Sequence, residues 1–262
     1  MSTRSRFASR TRCGGLYRGC RCRCRRRLNP TQRANMCTQT PPMPSPALAA
    51  LLLAGGQSSR MGTAKAWLEW RGRPLLSHLA QLFTDFGARV VVIGAAGQEL
   101  PPLPTGVLRV DDPPGEQGGP LIGLHVGLEA LGDAPRAGEI AFLSACDNVF
   151  LSPVHLEFLR AMLVQHPQID AVLPIDPADP VTGRRFAHPL VSAVRSAPAL
   201  ALTRTLIAAG VRRPAALFSE LATLRIDAEN LPDRRVLMTC NTPSEYASAR
   251  ADDLHETGSA DT

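Results

Sequence analysis

Residues 47–53 read ALAALLL, apolar at every position, and the run stops at Gly55-Gly56. A strand exposed on one face alternates polar and apolar residues. An unbroken apolar run of strand length predicts a parallel strand covered on both faces, which commits the chain to helices on either side of a sheet. The two glycines that follow can take positive φ and bring backbone N–H groups close to an anion. Ser58, Ser59, Arg60 and Lys65 then add hydroxyls and positive charge. Lys65 is the only lysine, and arginine supplies every other fixed positive charge. A composition that uses arginine so freely indicates that position 65 needs a compact ammonium rather than a planar fork. Strand, glycine turn, then cation is a phosphate-binding order. The spacing does not fit the Walker loop, which needs four residues between its first glycine and Gly-Lys-Ser/Thr. Nor do Gly55, Gly56 and Gly62 stand in the G-x-G-x-x-G order of dinucleotide-binding folds.

The downstream pattern extends the same architecture. Pro74 opens a helical period through Leu75, Leu76, Leu79, Leu82, Phe83 and Phe86, closed by Gly87. Strands are predicted at 90–93, at 107–110 closing on Asp111-Asp112, and at 140–143 leading to Cys146-Asp147. Helices are predicted from Pro120 through Leu131 and over 154–163, the latter capped by Ser152 before Pro153. Beyond these the pattern predicts strands at 171–174, 190–195, 224–226 and 236–238, and helices at 199–209 and 244–250. Alternating strands and helices with short links predict an α/β fold: three layers around a doubly wound, mostly parallel sheet. Ligands of such sheets sit beyond the carboxyl ends of the strands, where Gly55, Asp112 and Asp147 fall.

The net charge of +6 misrepresents the domain. Residues 1–46 hold eleven of the 29 basic residues and no Asp or Glu, so the other 18 face all 23 acidic ones and the remainder carries −5. The expected organisation is an Arg-rich extension over 1–46, disordered or an over-long start, a nucleotide-binding domain over 47–251 and a flexible tail over 252–262. Nucleic acid is not the expected partner. No run approaches the roughly eighteen apolar residues of a membrane span, so a cytoplasmic setting is expected. Five of seven cysteines lie before residue 46, and Cys146 with Cys240 make no disulfide framework.

Residues 53–65, LAGGQSSRMGTAK, resemble the signature L-A-G-G-x-S-x-R-M-G-x-x-K of the MobA-like nucleotidyltransferases, specifically the molybdenum cofactor guanylyltransferases. Leu53, Ala54, Gly55, Gly56, Ser58, Arg60, Met61, Gly62 and Lys65 all fall on it. Gly119-Pro120-Leu121-Ile122-Gly123 resembles the family's G-P-L-A-G segment, and that spacing assigns Asp112 to nucleotide binding, with Asp111 as the neighbouring alternative. Residues 144–153, SACDNVFLSP, resemble its P-C-D-x-P-F-L segment, with Ala145, Asn148 and Val149 departing from the usual neighbours.

The resemblance implies a Rossmann-like nucleotidyltransferase fold. It also implies transfer of GMP from GTP to the molybdenum-molybdopterin cofactor, with release of pyrophosphate. Leu53, Ala54, Gly55, Gly56, Lys65, Asp112 and Asp147 would bind the nucleotide, Lys65, Arg60 and Asp147 would promote transfer, and Asp147 would hold Mg²⁺. Arg185, His188 and Asn241, the last in T-C-N-T-P, would face the pterin substrate. Molybdoenzymes or their chaperones would receive the product. The glycine pair, in place of the L-A-A-G of molybdopterin cytidylyltransferases, favours GTP. A cytidylyltransferase, a sugar-phosphate nucleotidyltransferase and a non-catalytic nucleotide-binding module are the alternatives.

Overall fold

A computed structural model describes residues 46–54, 64–113, 119–132 and 138–259, with the side chains of 254–259 left out of the description. The predicted strand at 47–53 is β1 (Leu48–Leu53). It is an interior strand of a seven-stranded sheet and pairs in parallel with β4 (Arg89–Ala95) on one side and β6 (Ile140–Ala145) on the other. β5 (Leu108–Asp112) lies outside β4, and β8 (Val191–Arg195), β7 (Ala171–Ile175) and β9 (Thr223–Asp227) continue beyond β6 in that order. Only β8 runs against its neighbours β6 and β7, so the main sheet is mostly parallel.

The unbroken apolar run has the predicted cause. Ala50 and Leu52 point into one core with Leu76, Leu79, Phe83, Phe142 and Leu156, while Leu51 and Leu53 point into a second with Ile93, Leu121, Leu124 and Leu128. Helices α1 (Leu75–Asp85) and α3 (Pro153–Gln165) supply the first layer. Helices α2 (Pro120–Ala130), α4 (Ser196–Ala208) and α5 (Ala215–Glu220) supply the second. Burying each such leucine contributes about 1.5–3 kcal/mol. Ser152 caps α3 as expected, its hydroxyl accepting from the His155 backbone N–H.

Gly123 and Gly127 of α2 permit its close approach to the sheet. A Cβ at Gly127 would stand 3.0 Å from both Ile93 Cδ1 and Leu51 Cδ2, and one at Gly123 would stand 3.0 Å from Leu53 Cδ2 and 3.3 Å from Asp112 Oδ1. Gly123→Ala is therefore expected to destabilise the fold by about 1–3 kcal/mol, through overpacking that the neighbours only partly relieve. Chemical denaturation checks this, and an unchanged midpoint would show that α2 shifts freely.

Four features differ from the sequence expectation, the first being that α5 (Ala215–Glu220) stands where no helix was predicted. Val236 and Leu237, predicted with Met238 as a strand, lie in a 3₁₀ turn, Arg234–Leu237, and Met238 caps it. The Asp233 carboxylate accepts from the Arg235 backbone N–H and chelates its guanidinium, stabilising a local turn instead of a ladder. A small hairpin, β2 (Glu69–Trp70) with β3 (Arg73–Pro74), precedes α1 where no strand was expected. Finally α6 runs Pro243–Ser259, past the point where a flexible tail was expected. Its start is a capping box: Glu245 accepts from the Thr242 N–H at 2.9 Å, and the Glu245 N–H donates to Thr242 Oγ1 at 3.2 Å. Asp253, inside the expected tail, is only 7% exposed. No helix among the described residues is long and apolar enough to cross a membrane.

Candidate active site

The chain leaves β1 to one side, building β4 and β5, and later returns to the other side as β6. Such a reversal opens a crevice beyond the carboxyl ends of the two diverging strands. Leu53 and Ala145, paired across β1 and β6, mark the ends of those strands. A cavity of about 340 Å³ lies there, lined by Leu53, Ala54, Lys65, Asp147, Pro120, His188 and Thr239 among others. Because β8 runs antiparallel to β6, its first residues arrive at this same end, which brings His188, Pro189 and Leu190 to the cavity wall. Asn148, 1% exposed, fixes that wall by donating to Ser144 Oγ at 3.1 Å and to the Leu190 carbonyl at 2.5 Å.

Three segments distant in sequence converge on one ammonium. Lys65 Nζ donates to Asp147 Oδ2 at 2.9 Å and to Asn241 Oδ1 at 2.7 Å. The ion pair is mostly shielded, its two side chains 18% and 20% exposed. Asn241 is itself oriented, donating through Nδ2 to Thr239 Oγ1 at 2.9 Å while its backbone N–H donates to Glu245 Oε2 at 2.7 Å. The Cys240 N–H donates to the Asp147 carbonyl, tying the two loops together. Burial, followed by the nearby Asp147 carboxylate, pushes the Cys146 thiol up to about 12 and the Cys240 thiol up to about 11. Both stay protonated near neutral pH and are unsuited to be thiolate nucleophiles. The site therefore brings together a cation, a carboxylate and an amide in one mostly shielded cluster.

Residues 50–224 match the model of the MobA-like NTP transferase domain. The chain belongs to this family. A protein of Mycobacterium tuberculosis H37Rv named probable molybdenum cofactor guanylyltransferase is 37% identical over 198 residues, covering 74% of this chain and 89% of the relative. A protein of the same name from Mycobacterium avium is 34% identical, covering 78% and 97%. Among solved structures, molybdopterin-guanine dinucleotide biosynthesis protein A from Archaeoglobus fulgidus shares the fold, with a TM-score of 0.58 at 19% identity over 79% of this chain and 99% of that one. So does 2-C-methyl-D-erythritol 4-phosphate cytidylyltransferase from Thermus thermophilus, with a TM-score of 0.57 at 17% identity over 78% and 98%.

The fold gathers Leu53, Ala54, Lys65, Asp147, Asn241 and His188 around this cavity or its ammonium. Gly55, Gly56 and Arg60 lie outside the described residues. Asp112 ends β5 with Oδ1 buried and without a hydrogen-bond partner among the described residues, and burial raises its carboxyl above its ordinary value. Arg185 is engaged elsewhere, donating to the Asp227 carboxylate and the Asp176 carbonyl. His188 Nε2 lies 3.0 Å from Asp176 Oδ2, out of hydrogen-bond alignment. Gly119, the first glycine of the second segment, is occupied by packing: a Cβ there would stand 3.1 Å from Arg212 Cβ and 3.2 Å from the Arg212 carbonyl. The Leu121 N–H donates to that same carbonyl, so this helix start is partly satisfied from within.

Sequence reasoning missed Thr239 and the bracing role of Asn148, since both stand where the chain departs from the family's motif segments and their contacts are made across the fold. A second cavity, about 500 Å³, lies beyond Val149–Leu151 and shares no lining residue with the first. It carries the pairs Arg71–Asp253 and Arg235–Asp233. It also holds His78, lowered to about 4 by burial and then by Arg71 and Arg73. Its charges are largely self-compensated.

Proposed function

We propose that this chain transfers GMP from GTP to the molybdenum-molybdopterin cofactor, forming the molybdopterin guanine dinucleotide cofactor and pyrophosphate. The observation that carries the reading is the convergence of Lys65, Asp147 and Asn241 at the switch point of a MobA-like domain. The names of the relatives, guanylyltransferases at 34–37% identity, supply the base and the acceptor. A terminal phosphate oxygen of the pterin attacks the α-phosphorus of GTP, the new P–O bond forms, and the bond to the β-phosphate oxygen breaks. The attacking oxygen is already anionic, so no general base is needed. Lys65 neutralises charge on the departing pyrophosphate, and Asn241 holds the lysine in place. Arg60 and the amides of Gly55 and Gly56 are assigned to the same phosphates. Asp112 is assigned to the nucleotide, its unpartnered Oδ1 being a buried acceptor that a ligand donor would satisfy. His188, on the cavity wall, is assigned to the pterin side; Arg185 contributes there only by leaving Asp227.

The donor set fits Mg²⁺. Among the described residues no three His, Cys, Asp or Glu groups cluster as a full metal cage. Magnesium is commonly held by one or two carboxylates plus substrate phosphates and water, and Asp147 at the cavity provides the carboxylate. When bound, the ion supplies charge neutralisation to the α-phosphate and its leaving group. Delivery of the product to molybdoenzymes or their chaperones, in the cytoplasm, belongs to the same proposal.

The test is pyrophosphate release with Mg²⁺ and molybdenum-molybdopterin, comparing GTP, CTP and ATP, with the product identified by mass. GTP is expected to exceed the other nucleotides by about 10²-fold or more in kcat/KM, as expected for a site that hydrogen-bonds one base. Preference for CTP would move the reading to the cytidylyl transfer. Binding of nucleotide with no pyrophosphate from any of them would reduce the protein to a binding module.

A further inference from the structure

The three residues that meet at the ammonium each stand a few positions before an aromatic ring, and the three rings meet behind the site. Lys65 precedes Trp70 on β2, Asp147 precedes Phe150, and Asn241 precedes Tyr246 on α6. Trp70 is 1% exposed and lies edge-on to Phe150 at 5.8 Å, with Tyr246 at 6.3 Å. The hairpin is then fastened along α6. The Tyr246 hydroxyl donates to the Glu69 carbonyl, Arg250 lies 3.6 Å from the Glu69 carboxylate, and Arg71 grips Asp253 with two nitrogens at 3.0 and 2.5 Å.

Arg71 stands in an unexpected place. The hairpin has a two-residue loop, Arg71-Gly72, with φ of 50° and 78°. Asn-Gly is the favoured pair for such a turn, and positive φ at a long side chain costs conformational energy. The cost is accepted where the guanidinium reaches Asp253, a carboxylate buried to 7% exposure. The family match ends at residue 224, so Asn241 and Asp253 both lie beyond it.

We propose that Arg71 and Asp253 are positioning residues: their ion pair latches the hairpin to the C-terminal helix and thereby holds Lys65 and Asn241 together on Asp147. Neither touches the phosphates. The latch acts on the roots of the two loops that carry the contacting groups. This inference rests on the reading of Lys65 as the phosphate-contacting cation.

The chain offers a direct readout, because Lys65 carries its only ε-amine. The rate at which an amine-reactive ester acylates Lys65, followed by peptide mass analysis, reports how firmly the ammonium is held and requires no turnover. Arg71→Asn creates the favoured Asn-Gly turn, so the hairpin persists while the guanidinium is lost. Asp253→Asn removes the charge from the other side with little change of shape. Each variant is expected to acylate about fivefold faster, the factor set by a surface ion pair at the upper end of its range. Each is expected to lose about tenfold or more in kcat, because a misplaced group costs rate, with GTP KM little changed; Arg71→Asn also lowers the melting temperature, because it takes the guanidinium from a carboxylate only 7% exposed, whereas Asp253→Asn keeps a polar group of the same shape and shifts it less. The double variant is expected to match either single one. Unchanged acylation in a folded variant, or effects that add in the double variant, would overturn the latch. If the wild type transfers no GMP and yet the variants acylate faster, the proposed function fails while the latch stands.

Discussion

Replacing Asp147 by alanine is expected to lower pyrophosphate release on the order of 10³-fold, with the fold intact. The side chain ends at the switch-point cavity, where the only other charged group among the described lining residues, the histidine aside, is its own partner Lys65. Two anions must approach each other in this reaction, and a site that neutralises developing charge loses about 10²–10³-fold when one preorganised contact is deleted. Loss of the carboxylate that fits Mg²⁺ should reach the upper end. The stability cost should stay near 1 kcal/mol, as for a partly exposed ion pair, because Lys65 keeps Asn241 as acceptor. Asp147→Asn separates charge from shape: it retains an acceptor for Lys65 and loses the negative charge. Release from both variants within tenfold of the wild type, at saturating substrate and Mg²⁺, would remove Asp147 from the reaction.

The sheet was legible because its physics is local. β1 is covered on both faces, so all its residues are apolar, and α1 carries its leucines at helical spacing. The hairpin was not legible, since strands of two residues show no period and Arg-Gly is not a turn signal. Residues 252–259, DDLHETGS, read as part of a flexible tail; they are helical because a box at Thr242 and Glu245 starts α6 and a partner at Arg71, 182 positions away, holds it. Long-range pairing of this kind leaves no trace in a single sequence. The same limit applies to the site. Lys65, Asp147 and Asn241 could be named from their motifs, whereas their mutual contact could not. Arg185 looked available for a substrate anion until β9 placed Asp227 beside it.

Lys65→Ala is expected to cost about 10²–10³-fold in kcat with a smaller change in the KM for GTP. In the proposed reaction the ammonium faces charge that grows on the leaving pyrophosphate, so its contribution would be larger in the transition state than in the bound substrate. Folding should change by only about 1 kcal/mol, as for a partly exposed ion pair; thermal denaturation beside steady-state kinetics separates the two effects. The more telling variant is Lys65→Arg. Every other fixed cation in this chain is already arginine, and arginine keeps the charge while replacing three rotatable donors by a planar fork. In the structure the ammonium serves a carboxylate and an amide oxygen at 2.9 and 2.7 Å from one nitrogen, a junction that a fork cannot reproduce at a single point. Arginine should therefore recover little of the lost rate. Full kcat in Lys65→Arg would mean that charge alone matters at this position, and the single lysine would then be an accident of composition rather than a requirement of the site.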